Sequence, residues 1–158
     1  MEQHVFDMVH DDAVCTNGHR FTFHRFPDMS YGLLELSTPD PHDFAYINAA
    51  TDPVFAEVSR LVHDMLDNGG KKPLDIAHCI HNVLPLACDL APSGQRYMIT
   101  TTHWCPICRS TRIKIGEEIP TIFDQVDMAH VTHQQWQRLN EAEKRDLVLG
   151  GLRNAGCI

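Results

Sequence analysis

The spacing of apolar residues changes period along the chain, from strand-like at both ends of a long middle segment to helix-like inside it. Residues 4–10 carry Val5, Phe6, Met8 and Val9 among polar neighbours, and residues 20–26 alternate through Phe21 and Phe23 to Phe26. Such β-forming, period-two stretches predict strands. Residues 95–104, with Tyr97, Ile99 and a threonine run, and residues 110–115, alternating until Gly116, predict two more. Between these pairs the period lengthens. Val54, Val58, Leu61, Val62 and Met65 share one helical face, with Asp52 placed to cap, Pro53 suited to the first turn and Gly69-Gly70 closing the segment. Leu74, Ile76, Ala77, Ile80, Val83 and Leu84 repeat the pattern until Pro85 interrupts it. A turn-rich loop at residues 37–42 precedes both helices.

The last third reads as two further helices. Thr132-x-x-Gln135 and Asn140-x-x-Glu143 each have the spacing of a capping box, with a break near Leu139-Asn140. Trp136 and Leu139 would anchor the first helix as packing residues, and Leu147, Val148 and Leu152 the second, which Gly150-Gly151 weakens and ends early.

Chemistry enters where the strands turn. Cys15-Thr16-Asn17-Gly18-His19 follows the first strand and Cys105-Pro106-Ile107-Cys108 separates the later pair. Gly18 permits a positive φ beneath a metal, and Pro106 presets φ so that two thiolates converge while turn amides face the sulfurs. Cys15, His19, Cys105 and Cys108 together supply four soft ligands, the number a structural Zn²⁺ takes. One zinc per chain is expected, closed to water and so structural rather than catalytic. His103, two residues before Cys105, is a spare ligand that could replace His19. His78, Cys79, His81 and Cys88 also lie close in sequence, but helical spacing separates them, and they read as buried cysteines and surface histidines.

CTNGHRF and CPICRSTRI resemble the two knuckles of the zinc-ribbon class, whose second knuckle often reads CPxCG before a strand. The resemblance covers about 50 of the 158 residues. It departs from the class pattern in Arg109, which stands where glycine commonly follows the last cysteine, and in the 85 residues between His19 and Cys105. It implies an α+β fold: two-knuckle zinc-ribbon hairpins with a helical insertion and C-terminal helices. Residues 1–35 and 95–122 would form the ribbon, 36–94 the insertion and 123–158 the terminal helices of a single domain.

Composition narrows the function. The chain is 43% hydrophobic, enough to bury a core, it has no apolar run of membrane-spanning length, and no secretory leader is expected. A cytoplasmic protein with reduced thiols is therefore expected despite six cysteines. No HExxH, HxE with PCxxC, GxGxxG or Walker loop is present, so no enzyme class is indicated. Thirteen basic against twenty-one acidic residues, a net charge of −8, oppose association with phosphates. The favoured reading is a zinc-stabilised protein-binding or regulatory module whose partner is another protein, a basic one fitting the charge. Two alternatives remain. Arg20, Arg25, Arg109, Arg112 and Lys114 could form a nucleic-acid patch, and Trp104-Cys105-Pro106-Ile107-Cys108 resembles the WCxxC of thioredoxin-like oxidoreductases, with Ile119-Pro120-Thr121 in the place of their proline loop.

Overall fold

A computed structural model describes residues 3–27, 32–66, 73–116 and 120–158. The glycines expected to close the first helix, and Ile119 of the proline loop, lie outside the described residues. The fold is mixed α+β, a curled half-barrel sheet with four helices. The strands are β1 (Gln3–Cys15), β2 (Arg20–Arg25), β3 (Leu33–Ser37), β4 (Phe44–Asn48), β5 (Met98–Ile99), β6 (Ile113–Ile115) and β7 (Phe123–His130). Their order is β2-β1-β7-β4-β3-β5, with β6 also on β1. All pairs are antiparallel except β4–β7. Ala13 pairs with Phe21 on one side and with Ile115 on the other, so β2 takes one edge of β1 while β7 and β6 share the second.

The helices are α1 (Pro53–Leu66), α2 (Pro73–Val83), α3 (Gln134–Gln137) and α4 (Glu141–Asn154), with a 3₁₀ turn at Leu84–Ala87. Alternation along the strands decides which residues meet them. Leu34 and Leu36 of β3, with Ala45 and Ile47 of β4, join Val58, Leu61, Val83, Val148 and Leu152 in the main core. Intervening residues face the other way. There Met8, Tyr46 and Met128 form a small second core bordered by Phe6, Phe26 and Val126.

Asp52 caps α1 through Val54 N and Phe55 N at 2.8 and 3.0 Å. Its apolar stripe is buried as expected, except that Met65 is only half-buried and Leu66 completes it. In α2, Ala77 faces solvent rather than the core. Asn140 and Glu143 form the capping box expected at α4. Trp136 is a buried packing residue whose indole N–H donates to Glu57 at 2.7 Å.

Several expectations are corrected. The second knuckle is not a hairpin: β5 pairs with β3, and β6 pairs with β1, because residues 100–112 turn and bend rather than run straight. Residues 36–94 contain β4, and residues 123–158 open with β7, whose half-exposed alternation places Val126 and Met128 against Phe6 and His4 of β1. Thr132 does not cap α3. Its hydroxyl donates to Asp89 instead, and Asp89 accepts from the amides of Gln134 and Gln135 at 2.8 and 2.9 Å, capping the helix from another part of the chain. The final helix runs through both glycines to Asn154.

Reduced thiols throughout are also overturned. Cys79 and Cys157 form a disulfide with Cα atoms 6.1 Å apart. Neither position is near a knuckle, and the pairing is created by the packing of α2 against the chain after α4. Disulfides persist mainly in oxidising compartments, so the argument from thiols to a cytoplasmic location loses its footing. No helix among the described residues is long and apolar enough to cross a membrane.

Candidate metal centre

The first knuckle is built by the β1–β2 hairpin. Cys15 is the last residue of β1, and its amide donates to His19 O at 3.0 Å while Gly18 N donates to Cys15 O at 2.9 Å. The turn needs φ of 83° at Gly18, a conformation open to glycine without steric cost. The second knuckle closes on itself through Arg109 N to Cys105 O at 2.8 Å and Cys105 N to Ser110 O at 2.9 Å. Arg109 takes φ of 59° there. The β1–β6 pairing, which sets Cys15 opposite Ile113, and a bond from Thr16 N to Arg112 O at 3.1 Å bring the two turns together.

The four ligands read from the sequence converge. Cys15 Sγ lies 3.7 Å from Cys108 Sγ and 3.4 Å from His19 Nδ1, and Cys105 Sγ lies 3.7 Å from the same nitrogen. All four donor atoms lie within 4.8 Å of one another. A tetrahedral ion with bonds of about 2.3 Å to sulfur and 2.0–2.1 Å to nitrogen holds its ligands about 3.8 Å apart for two sulfurs and about 3.6 Å for sulfur and nitrogen. The spacing therefore suits a metal ion without rearrangement, and Cys15, His19, Cys105 and Cys108 can hold one.

Comparison of the chain with family models, with curated proteins and with solved structures finds no match in any of the three. What can be said of the site rests on its own chemistry.

The surroundings favour thiolate at Cys108. The Cys108 thiol is lowered to about 6 by the Ser110 amide, by the Asn17 side chain and by His19. Asn17 Nδ2 donates to that sulfur at 3.3 Å. Burial pushes Cys105 up, against the amides of Cys108 and Ile107 that point at it. Donors aimed at ligand sulfurs orient them and tune their basicity. Cys15 and Cys105 are buried, while His19 and Cys108 reach the surface in part.

His103 does not join this cluster. Its ring stacks on Phe23 with centroids 4.0 Å apart, and burial lowers its pKa. The other histidine–cysteine group is also dispersed. Cys79 is in the disulfide, Cys88 is buried with its thiol near Leu84 O, His78 is exposed and His81 half-buried.

A cavity of about 290 Å³ adjoins the second knuckle. Its lining includes His24 of β2, Glu35 of β3, Asp43, His103, Pro106 and Arg109. Since β2 and β3 lie toward opposite ends of the sheet order, the curl of the sheet is what lets them share it. Burial alone raises the Glu35 carboxyl to about 7, and among the described residues that carboxyl has no hydrogen-bond partner. Nothing in the sequence marked Glu35 beyond a lone acid between the leucines of Leu33–Ser37.

Proposed function

We propose that the protein is a zinc-stabilised binding module in which Cys15, His19, Cys105 and Cys108 hold one structural Zn²⁺ and the cavity beside them receives a basic side chain of another protein. The observation that carries this reading is Glu35: a half-buried carboxyl that lines a cavity and has no hydrogen-bond partner among the described residues is a place where a cation gains a full ion pair. The net charge of −8 would draw a basic partner toward it. Zinc would act at a distance from binding, by fixing the wall formed by Trp104, Pro106 and Arg109.

The oxidoreductase alternative has the low Cys108 value on its side, but an attacking first cysteine should be exposed and acidic. Cys105 is buried and pushed the other way, and the residues after Cys108 form turns and a strand rather than a helix.

Two measurements test the proposal. Elemental analysis should find one zinc tied to the thiols, lost in Cys15→Ser and Cys105→Ser together with a fall in melting temperature. Titration with an arginine-rich peptide, followed by Trp104 fluorescence, should show binding that weakens at least tenfold in Glu35→Gln. Equal affinity in that variant would sink the cavity reading, and stronger binding to single-stranded nucleic acid with a steep salt dependence would replace it.

A further inference from the structure

A second convergence of donors lies on the face of the sheet opposite the helices. His10 of β1 is directly opposite His24 of β2, and Met8 of β1 is opposite Asp124 of β7, so His10, His24 and Asp124 project from three adjacent strands on one face. Their reactive atoms point at a common centre. His10 Nδ1 lies 2.6 Å and His24 Nε2 2.9 Å from the same carboxylate oxygen, Asp124 Oδ2. The two rings meet edge to face with centroids 5.4 Å apart.

One carboxylate oxygen can accept from both rings, so the three side chains already converge on one point. The second ring nitrogen of His10 is placed as well: Nε2 faces Asp12 Oδ1 at 3.2 Å. With an ion between the rings and Asp124, His10 would bind it through Nδ1 while Asp12 holds Nε2–H and fixes the tautomer, the role a carboxylate takes behind a metal-ligating histidine. Donors bound at about 2.1 Å to one ion are themselves about 3 Å or slightly more apart, so small side-chain rotations suffice to admit it.

We propose that His10, His24 and Asp124 form a second metal site, for a divalent transition metal such as Zn²⁺, Mn²⁺ or Fe²⁺, with Asp12 as the residue that positions His10. Two histidines and one carboxylate on one side of an ion leave coordination positions open, unlike the closed thiol site. The ligand side chains are 25%, 35% and 44% exposed for His10, His24 and Asp124, so water has access. His24 also lines the cavity that holds Glu35, so a molecule in that cavity would lie beside the metal. The two sites differ in softness: the thiol site takes zinc, whereas the histidine–carboxylate site accepts harder ions that thiolates bind poorly.

That difference makes the test independent of the first site. Protein carrying one equivalent of zinc is titrated with Mn²⁺ while the ring protons of the eleven histidines are followed by NMR. His10 and His24 should broaden first, at manganese concentrations that leave His78 and His63 sharp. Uniform broadening of all histidines overturns the proposal. Equilibrium dialysis against Zn²⁺ gives a second reading: wild type should hold two ions, Asp124→Asn one, and Cys105→Ser should lose the thiol-bound ion while still binding Mn²⁺ at His10 and His24. Asp12→Asn should weaken the second ion ten- to a hundredfold without abolishing it. A wild type that holds one zinc, with Asp124→Asn unchanged from it, overturns the site even if the thiol cluster is confirmed.

Discussion

Arg109 shows how much a single backbone angle decides. It directly follows Cys108 and takes a left-handed backbone conformation, with φ of 59°. Among the described residues it is the one non-glycine with positive φ. A side chain in that region costs about 1–2 kcal/mol, and glycine returns part of the gain as lost backbone freedom on folding. Arg109→Gly should therefore stabilise the protein by about 0.5–1 kcal/mol, read as a small rise in thermal midpoint. A fall would mean that the arginine side chain contributes more at the cavity than its backbone costs. The four residues of the thiol cluster were legible in the sequence because each knuckle is a local turn with its donors three or four positions apart. Glu35 and Asp124 were not, since their roles depend on strands far apart in sequence. His10 and His24 lie between these cases: they are equidistant from the first knuckle, so a hairpin centred there sets them opposite each other, but nothing nearby announces Asp124.

Elements were read well where one face carried the signal and poorly where partners came from elsewhere. The stripe of α1 and the capping box of α4 are local, and both stand. The strands β4 and β7 were absorbed into helical regions because their alternation becomes meaningful only beside Leu33–Ser37 and β1. The pair Gly150-Gly151 looked like one weakness and is two different positions. A Cβ at Gly151 would come 2.6 Å from Leu86 Cδ1 and 3.3 Å from Val83 Cγ2, whereas a Cβ at Gly150 meets nothing within 4 Å. Close packing of α4 on the 3₁₀ turn thus needs the second glycine only. Gly150→Ala should stabilise by up to about 1 kcal/mol through helix propensity, and Gly151→Ala should destabilise by about 1–3 kcal/mol through overpacking. Chemical denaturation of the two variants separates them; equal effects would show that the turn yields to the added methyl.

At the scale of the molecule, Asp52 joins what the chain keeps apart. It caps α1 and bonds His133 Nε2 at 2.9 Å, while His133 Nδ1 reaches Ala87 O at 2.7 Å, so α1, the 3₁₀ turn and α3 share one buried network. Burial opposes both charges, but hydrogen bonds from His133, Phe55 and Val54 hold the Asp52 carboxyl below its ordinary 3.8. For His133, the bonds to Asp52, Cys88 and Ala87 likewise outweigh burial and raise it from 6.5 to about 10. The Asp52 contribution is present above pH 3.8 and lost as pH falls through its lowered value. That of His133 is full below 6.5 and fades as pH rises through about 10. Thermal stability should therefore be highest between about pH 4 and 6.5 and decline on both sides, and Asp52→Asn should flatten the profile while costing about 1–3 kcal/mol. An unchanged profile in that variant would assign the pH dependence to other groups.

The disulfide has a mechanical meaning. Cys79 and Cys157 are 78 positions apart, and the stretch between them contains the second knuckle, β7, α3 and α4. Tension applied to the backbone on either side of the bridge passes covalently from one sulfur to the other, so the enclosed backbone is bypassed and is loaded only through its pairing with β1. Cys105 and Cys108 sit in that bypassed stretch, and reducing one bond puts their backbone into the load path.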